Sequence, residues 1–215
     1  MAAKGGAVKR ASGPMTEFSV PASPLTEYGA TGLRQFGGIV REEWLRELIG
    51  RKGMQMYREM RDNDPVIGGI FFAFEKIIPS VPYTIEPVSP SSEDMAAADY
   101  VNSCFGDMEQ DWTEILAGIL TYLQFGWYAP EIVYKFRRGE TDDPHTTSLY
   151  TDGLLGWRKL AFRAQETLFK WEFDEGGDAI AFFQMLPTGG QLLWVPLAKC
   201  LHFRTRPLKN NPEGI

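Results

Sequence analysis

The stretch Asp111-Trp112-Thr113-Glu114-Ile115-Leu116-Ala117-Gly118-Ile119-Leu120-Thr121-Tyr122-Leu123-Gln124-Phe125-Gly126-Trp127-Tyr128-Ala129-Pro130-Glu131-Ile132-Val133-Tyr134-Lys135-Phe136 decides the fold. Asp111 can cap a helix, with Glu114 at its third position. Trp112, Ile115, Leu116, Ile119, Leu120 and Leu123 then recur with a helical period. Phe125-Gly126 stops the helix. Beyond Gly126 the period drops to two: Tyr128, Ile132, Tyr134 and Phe136 share one face of a strand, and Glu131, Lys135 and Arg137 share the other.

Upstream the signals are helical. Glu42–Ile49 carries Trp44, Leu45 and Leu48 at helical spacing, and Gly50 and Gly53 are expected to break that helix before a second one over Met54–Arg61. Asp62-Asn63-Asp64-Pro65 is the clearest start signal: Asp64 can accept from first-turn amides, and Pro65 gives up no useful donor. Ile67, Ile70, Phe71, Phe74, Ile77 and Ile78 follow, which predicts a broad buried face on a helix ending before Pro79, and a Phe71→Asp variant that does not fold. Val81–Val88 alternates as an edge strand between Pro82 and Pro87. Ser91 and Asp94 open the next helix, with Ala97, Val101, Cys104 and Phe105 inward and Gly106 at its end.

Downstream the signals are strands. Gly139–Thr147 reads as a polar loop, and Leu160 and Phe162 lie on a strand. Phe169, Trp171 and Phe173 alternate with Lys170 and Glu172. Asp174-Glu175-Gly176-Gly177 turns the chain into a return strand over Ala179–Leu186. Gln191–Val195 and Lys199–Arg204 complete the series, the last with Leu201 and Phe203 inward. N-terminal helices followed by antiparallel β-hairpins predict an α+β fold, not a doubly wound parallel sheet. Residues 1–32, rich in Gly, Ala, Ser, Pro and Thr, are expected to form a flexible arm ahead of an ordered region over 33–215.

Composition narrows the function. The 215 residues carry a net charge of −6, which speaks against a general nucleic-acid coat. Two cysteines, Cys104 and Cys200, make no disulfide framework, and two histidines, His145 and His202, leave little for a multi-histidine metal site. The longest apolar runs, Val66–Phe74 and Ile115–Leu120, fall short of a membrane span. Glycine-rich nucleotide loops, a nucleophile elbow, HExxH and CxxC are all missing.

Three groups of residues remain as candidates. Asp142, Asp143 and His145 could offer carboxylates and an imidazole to a divalent metal in a hydrolase, although Asp143-Pro144 is also ordinary turn chemistry. Phe169, Trp171 and Phe173 could stack bases in a nucleic-acid-binding module, although strand spacing beside a hairpin favours a core row. His202, Arg204, Arg206 and Lys209 form a basic cluster at the end of the last strand. There they would face solvent opposite Leu201 and Phe203, and hold a phosphate or meet a neighbouring subunit.

The ordered series is more telling than any one site. Arg61-Asp62-Asn63-Asp64-Pro65 leads into an apolar helix, and Ser80-Val81-Pro82-Tyr83-Thr84-Ile85-Glu86-Pro87 into an acidic one. A helix ending in Phe125-Gly126 precedes Glu131-Ile132-Val133-Tyr134. His202-Phe203-Arg204 and Asn211-Pro212-Glu213-Gly214-Ile215 close the series. From about Glu42 to Ile215 this resembles the N-terminal, wing-containing part of tailed-bacteriophage portal (head–tail connector) proteins, nearest to the Mu-like branch. The resemblance implies a structural virion protein with no catalytic site and no cofactor. It implies a head-to-tail ring of about twelve subunits at one capsid vertex. Its implied partners are further copies of itself, the major capsid protein, the terminase packaging motor, head-completion or adaptor proteins, and double-stranded DNA passing through the channel. No membrane is involved, and assembly takes place in the host cytoplasm. In such proteins the stem, clip and crown lie beyond the region matched here.

Overall fold

The computed structural model describes residues 29–214. The arm expected over residues 1–32 lies, up to residue 28, outside the described residues. In chain order the elements are β1 (Gln35–Phe36), β2 (Ile39–Val40), α1 (Gly50–Asn63), α2 (Pro65–Ser80), α3 (Ser92–Gly106), α4 (Trp112–Leu120), α5 (Tyr122–Phe125), β3 (Trp127–Tyr128), β4 (Glu131–Phe136), β5 (Leu155–Ala161), β6 (Leu168–Phe173), β7 (Ala179–Met185), β8 (Leu192–Pro196) and β9 (Phe203–Arg204). The strand pairs β1–β2, β3–β9, β4–β5, β6–β7 and β7–β8 are all antiparallel. The fold is α+β: a short β1–β2 ribbon comes first, and then helices followed by antiparallel strands as the sequence predicts.

The helix starts follow local chemistry. The Asp64 carboxylate accepts from Val66 N at 2.8 Å and Ile67 N at 3.1 Å, ahead of Pro65. Ser91 Oγ accepts from Asp94 N at 3.1 Å, and the Asp111 carboxylate from Thr113 N at 2.9 Å. Each cap occupies a donor that the first turn leaves without a partner.

The first expected helix is not there. Glu42–Ile49 holds only one tight turn at Arg46–Leu48, and Trp44 is 92% exposed. Eight residues cannot hold a helix without a buried face. Gly50 opens α1 instead of breaking it. Gly53 lies in its first turn, where a Cβ would run into the Leu48 carbonyl, so glycine lets the preceding turn fold back onto the helix.

α2 differs more. It runs through Pro79 to Ser80, because its last turn is held by Ser80 Oγ donating to Ile77 O at 2.7 Å and Val81 N donating to Ile78 O at 3.2 Å. None of its residues is buried, against the expectation of a broad buried face. Ile67, Phe71, Glu75 and Pro79 form a half-buried seam, where α2 meets α1 and α4. Phe72 at 60% and Ile77 at 61% stand open to solvent, as do Val66, Ile70 and Phe74. The segment after α2 is extended but unpaired, since Pro82 and Pro87 lack ladder donors. Tyr83 from that segment packs on Trp112 and Phe105, with ring centroids 5.1 and 5.8 Å away. On α3, Ala98 and Cys104 are buried while Ala97 is exposed.

The β half is built around one aromatic core. Val40, Met54, Phe125, Trp127, Leu168, Trp171, Phe182 and Val195 pack together, and Trp127 and Trp171 meet edge to face at 4.8 Å. Each large side chain buried there contributes about 1.5–3 kcal/mol. A second cluster joins Ile115 and Ile119 of α4 to Tyr128 and Leu160. The expected row Phe169, Trp171, Phe173 is broken by a register shift between Leu168 and Lys170: Leu168 and Trp171 are buried, Phe173 is half-buried and Phe169 is exposed.

β4 carries the largest reversal. A bulge between Val133 and Tyr134 splits the aliphatic–aromatic face, so that Ile132 reaches the second cluster while Tyr134 and Phe136 face outward. Lys135 and Arg137 point inward and are buried. Lys135 Nζ donates to Asp107 O at 2.6 Å and Thr147 O at 2.7 Å, and lies 3.2 Å from the Asp107 carboxylate. That carboxylate also accepts from Ser148 Oγ and Leu149 N, both at 2.7 Å. Arg137 reaches Asp152 and Ser103, both at 2.8 Å, with its guanidinium 3.9 Å from the Tyr150 ring centroid. Breaking one partner of such a buried pair costs about 3–5 kcal/mol.

Candidate functional site

The basic residues of the last strand sit under a turn made by residues 207–214. The ladder of that strand covers only Phe203–Arg204, not Lys199–Arg204, because Leu197–Lys199 forms a tight turn. His202 and Arg204 do share a side, but that side faces this turn and not solvent. His202 Nε2 lies 2.8 Å from Pro212 O, and its ring stacks at 5.6 Å on Trp171. Burial pushes the His202 pKa down to about 4, so the ring is neutral at pH 7 and its Nε2–H donates to Pro212. Arg204 Nη1 donates to Asn210 Oδ1 at 2.9 Å and leans on Asn211 O. Lys209 holds a left-handed φ of +54 and pairs with Glu42 at 2.9 Å. Arg206 is exposed, and among the described residues only its backbone is engaged, donating to Gly214 O at 2.8 Å.

Sequence reasoning missed what the turn covers. Glu213 enters the core side of β6, where its Oε1 accepts from Trp171 Nε1 at 3.0 Å. Burial raises its pKa to about 7, against the pull of the Trp171 hydrogen bond, and the neighbouring Glu43 adds to the rise. Tyr57 donates to Glu43 at 3.4 Å, and burial with that carboxylate lifts its pKa to about 12. No periodicity flags Glu213, Glu43 and Tyr57 together. The only trace was Asn-Pro-Glu-Gly in the ordered series.

The loop candidate is a turn. Asp143 Oδ1 accepts from the His145 backbone at 2.9 Å, and Thr141, Thr146 and Thr147 bond across the loop. His145 Nδ1 is 3.1 Å from Glu109, whose carboxylate also accepts from Arg158 Nε at 2.7 Å. Burial opposes the charge on Glu109, yet the bonds from Arg158 and His145 keep its pKa lowered. Among the described residues no three His, Cys, Asp or Glu side chains gather in a way that could hold a metal ion. Among the same residues no helix is long and apolar enough to cross a membrane.

The described region therefore presents interior polar networks, a basic turn and a helix with much of its apolar surface exposed. The family described as portal protein of Mu bacteriophage matches residues 54–215, most of the chain. The chain belongs to this family of phage portal proteins. No curated protein matches it.

Proposed function

We propose that the chain is one subunit of a portal ring at a single vertex of a phage capsid, a structural part of the virion and not an enzyme. The observation that carries this is α2. A helix lined by Val66, Ile70, Phe72, Phe74 and Ile77 with no buried residue leaves an apolar face that a soluble monomer does not keep bare. A neighbouring subunit in a closed head-to-tail ring of about twelve copies covers it. In this reading residues 33–215 form the wing-like region. The ring admits double-stranded DNA during packaging and releases it at ejection. It meets the major capsid protein, the terminase motor and later the head-completion proteins, after assembly in the host cytoplasm. The acidic net charge supports a wall along which DNA slides without being held. Of the basic cluster, Arg206 and Lys209 are the residues that touch a phosphate or the next subunit, while His202 and Arg204 hold the turn that presents them. No cofactor takes part.

Electron micrographs of negatively stained full-length protein test this reading. Annular top views are the expected result. A protein that remains monomeric across salt and concentration contradicts it.

A further inference from the structure

The charges of this chain are segregated. Residues 77–134 hold nine Asp and Glu and no Lys, Arg or His. The opposite sign collects at an open cleft of about 850 Å³ between the β1–β2 ribbon, the start of α1 and β6. Arg34, Arg41, Arg46, Arg51, Lys52 and Lys170 line it, against the acids Glu43 and Glu213. Of these six cations only Arg34 has an ion-pair partner among the described residues, Glu42. Arg51 and Lys52 also stand in the first turn of α1, which has no acidic residue and no capping side chain. Cations at the positive end of a helix dipole repel it, so the arrangement gains from an incoming negative group. Trp44 and Phe169, both exposed, supply apolar wall at the same cleft.

We propose that this cleft receives the acidic first two turns of α3 from the next copy of the chain. The contact rests on the ring reading above and adds to the α2 face a second pair of surfaces. The open cleft has room for two turns of a helix about 10 Å across. The start of α3 has the complementary chemistry: Glu93 and Asp99 are exposed and face no cation in their own segment. Met95 and Val88 are exposed apolar side chains for Trp44 and Phe169 to meet, and Ala96 and Ala97 keep the helix slim. Cleft and helix belong to different parts of one subunit, so the contact is heterologous and repeats from copy to copy. The partner's α3 completes a site that one chain leaves electrostatically unbalanced.

Charge reversal on each side tests it, with the full-length chain followed by sedimentation velocity. Arg46→Glu with Arg51→Glu on the cleft, and Glu93→Lys with Asp99→Lys on the helix, are each expected to weaken self-association about 10²-fold. The chain carrying all four changes is expected to recover most of it. All four positions are on the surface, and Arg51→Glu also improves the first turn of α1, so each variant should keep the wild-type melting curve. Neutral Arg46→Gln with Arg51→Gln gives the intermediate effect. Rings indifferent to both reversed pairs, or a quadruple variant without recovery, overturn this contact and leave the ring reading standing. A wild-type monomer overturns both. In the same preparation, loss of Trp44 emission with a thymidine homopolymer strand, alongside association that ignores the charge reversals, overturns the helix as occupant and puts a nucleic acid in its place.

Discussion

The sheet β6–β7–β8 and the helix α2 are both rich in large apolar residues, and they use them in opposite ways. Trp171 at 1% and Phe182 at 2% exposure are sealed by the ribbon, α1 and their own hairpin. α2 offers a comparable load and buries none of it. The sheet gains its hydrophobic stabilisation within one chain, whereas the helix gains only what its half-buried seam on α1 and α4 supplies and leaves the rest of its apolar surface in solvent. One half seals its apolar residues within the chain, and the other leaves most of them exposed.

That contrast gives its strongest test in paired substitutions. Trp171→Ala is expected to cost about 3–5 kcal/mol in urea unfolding, since it opens a cavity and strands Glu213. Phe72→Ser on α2 should move the midpoint by less than about 0.5 kcal/mol and raise solubility. A large loss from Phe72→Ser would mean the helix is already packed. Phe71 lies between the two regimes. It is half-buried, with the Arg61 guanidinium 5.7 Å from its ring centroid, so Phe71→Asp should weaken the fold and not abolish it as the sequence predicts.

Next in size is the inward face of β4. Asp107→Ala leaves Lys135 buried without its carboxylate and removes the acceptor of Ser148 and Leu149, a loss of about 3–5 kcal/mol by thermal or urea unfolding. Lys135→Met keeps the packing volume but strands the Asp107 carboxylate, which retains Ser148 and Leu149 as donors, so it should cost a comparable amount. A negligible cost would show that the ammonium does not hold this network.

The basic turn adds two opposed pH dependences. Glu213 rises from 4.5 when unfolded to about 7 when folded, so the native state binds more protons in that window and stability falls as pH rises through it. His202 drops from 6.5 to about 4, so the unfolded state binds more protons and stability rises with pH over that window. The two slopes oppose each other where they overlap, each with a span of up to about 3 kcal/mol. Glu213→Gln should therefore expose a positive slope of stability against pH between 4 and 6.5, and His202→Gln a negative one between 4.5 and 7. Denaturant melts across that range check both, and parallel profiles in all three proteins would contradict the burial of these groups. A small effect is also expected at the surface pair: Lys209→Ala should change stability by less than about 1 kcal/mol.

The parts of the molecule that the sequence made legible are those fixed by neighbours in the chain. Asp64, Ser91 and Asp111 cap helices through donors two or three residues away, and the change of period at Gly126 is equally local. The parts it hid depend on distant partners or on parity. One bulged residue at Val133/Tyr134 turned Lys135 and Arg137 inward, which no alternating pattern can announce. Of the face that spacing picks out along α2, only Ile67 and Phe71 lie on the half-buried seam, while Ile70, Phe74, Ile77 and Ile78 are exposed, because period alone does not say which side meets a neighbour. His202 and Arg204 were found as a pair, yet their partners Pro212, Asn210 and Asn211 arrive from a turn several residues later, so the direction they face was misread. Glu213 stood in the sequence only as part of Asn-Pro-Glu-Gly, with nothing to mark it as buried, because an isolated acid reads as solvated until a tryptophan is seen donating to it.

Hydrogen exchange on the free chain and on its assembled form, resolved by segment, tests the division between the two halves most directly. The expected result is that amides of α2, the start of α3 and the cleft edge of β6 gain protection on assembly, while β7 and β8 are already protected and do not change. Protection gained in β7 and β8, with α2 exchanging at the same rate in both states, would contradict it.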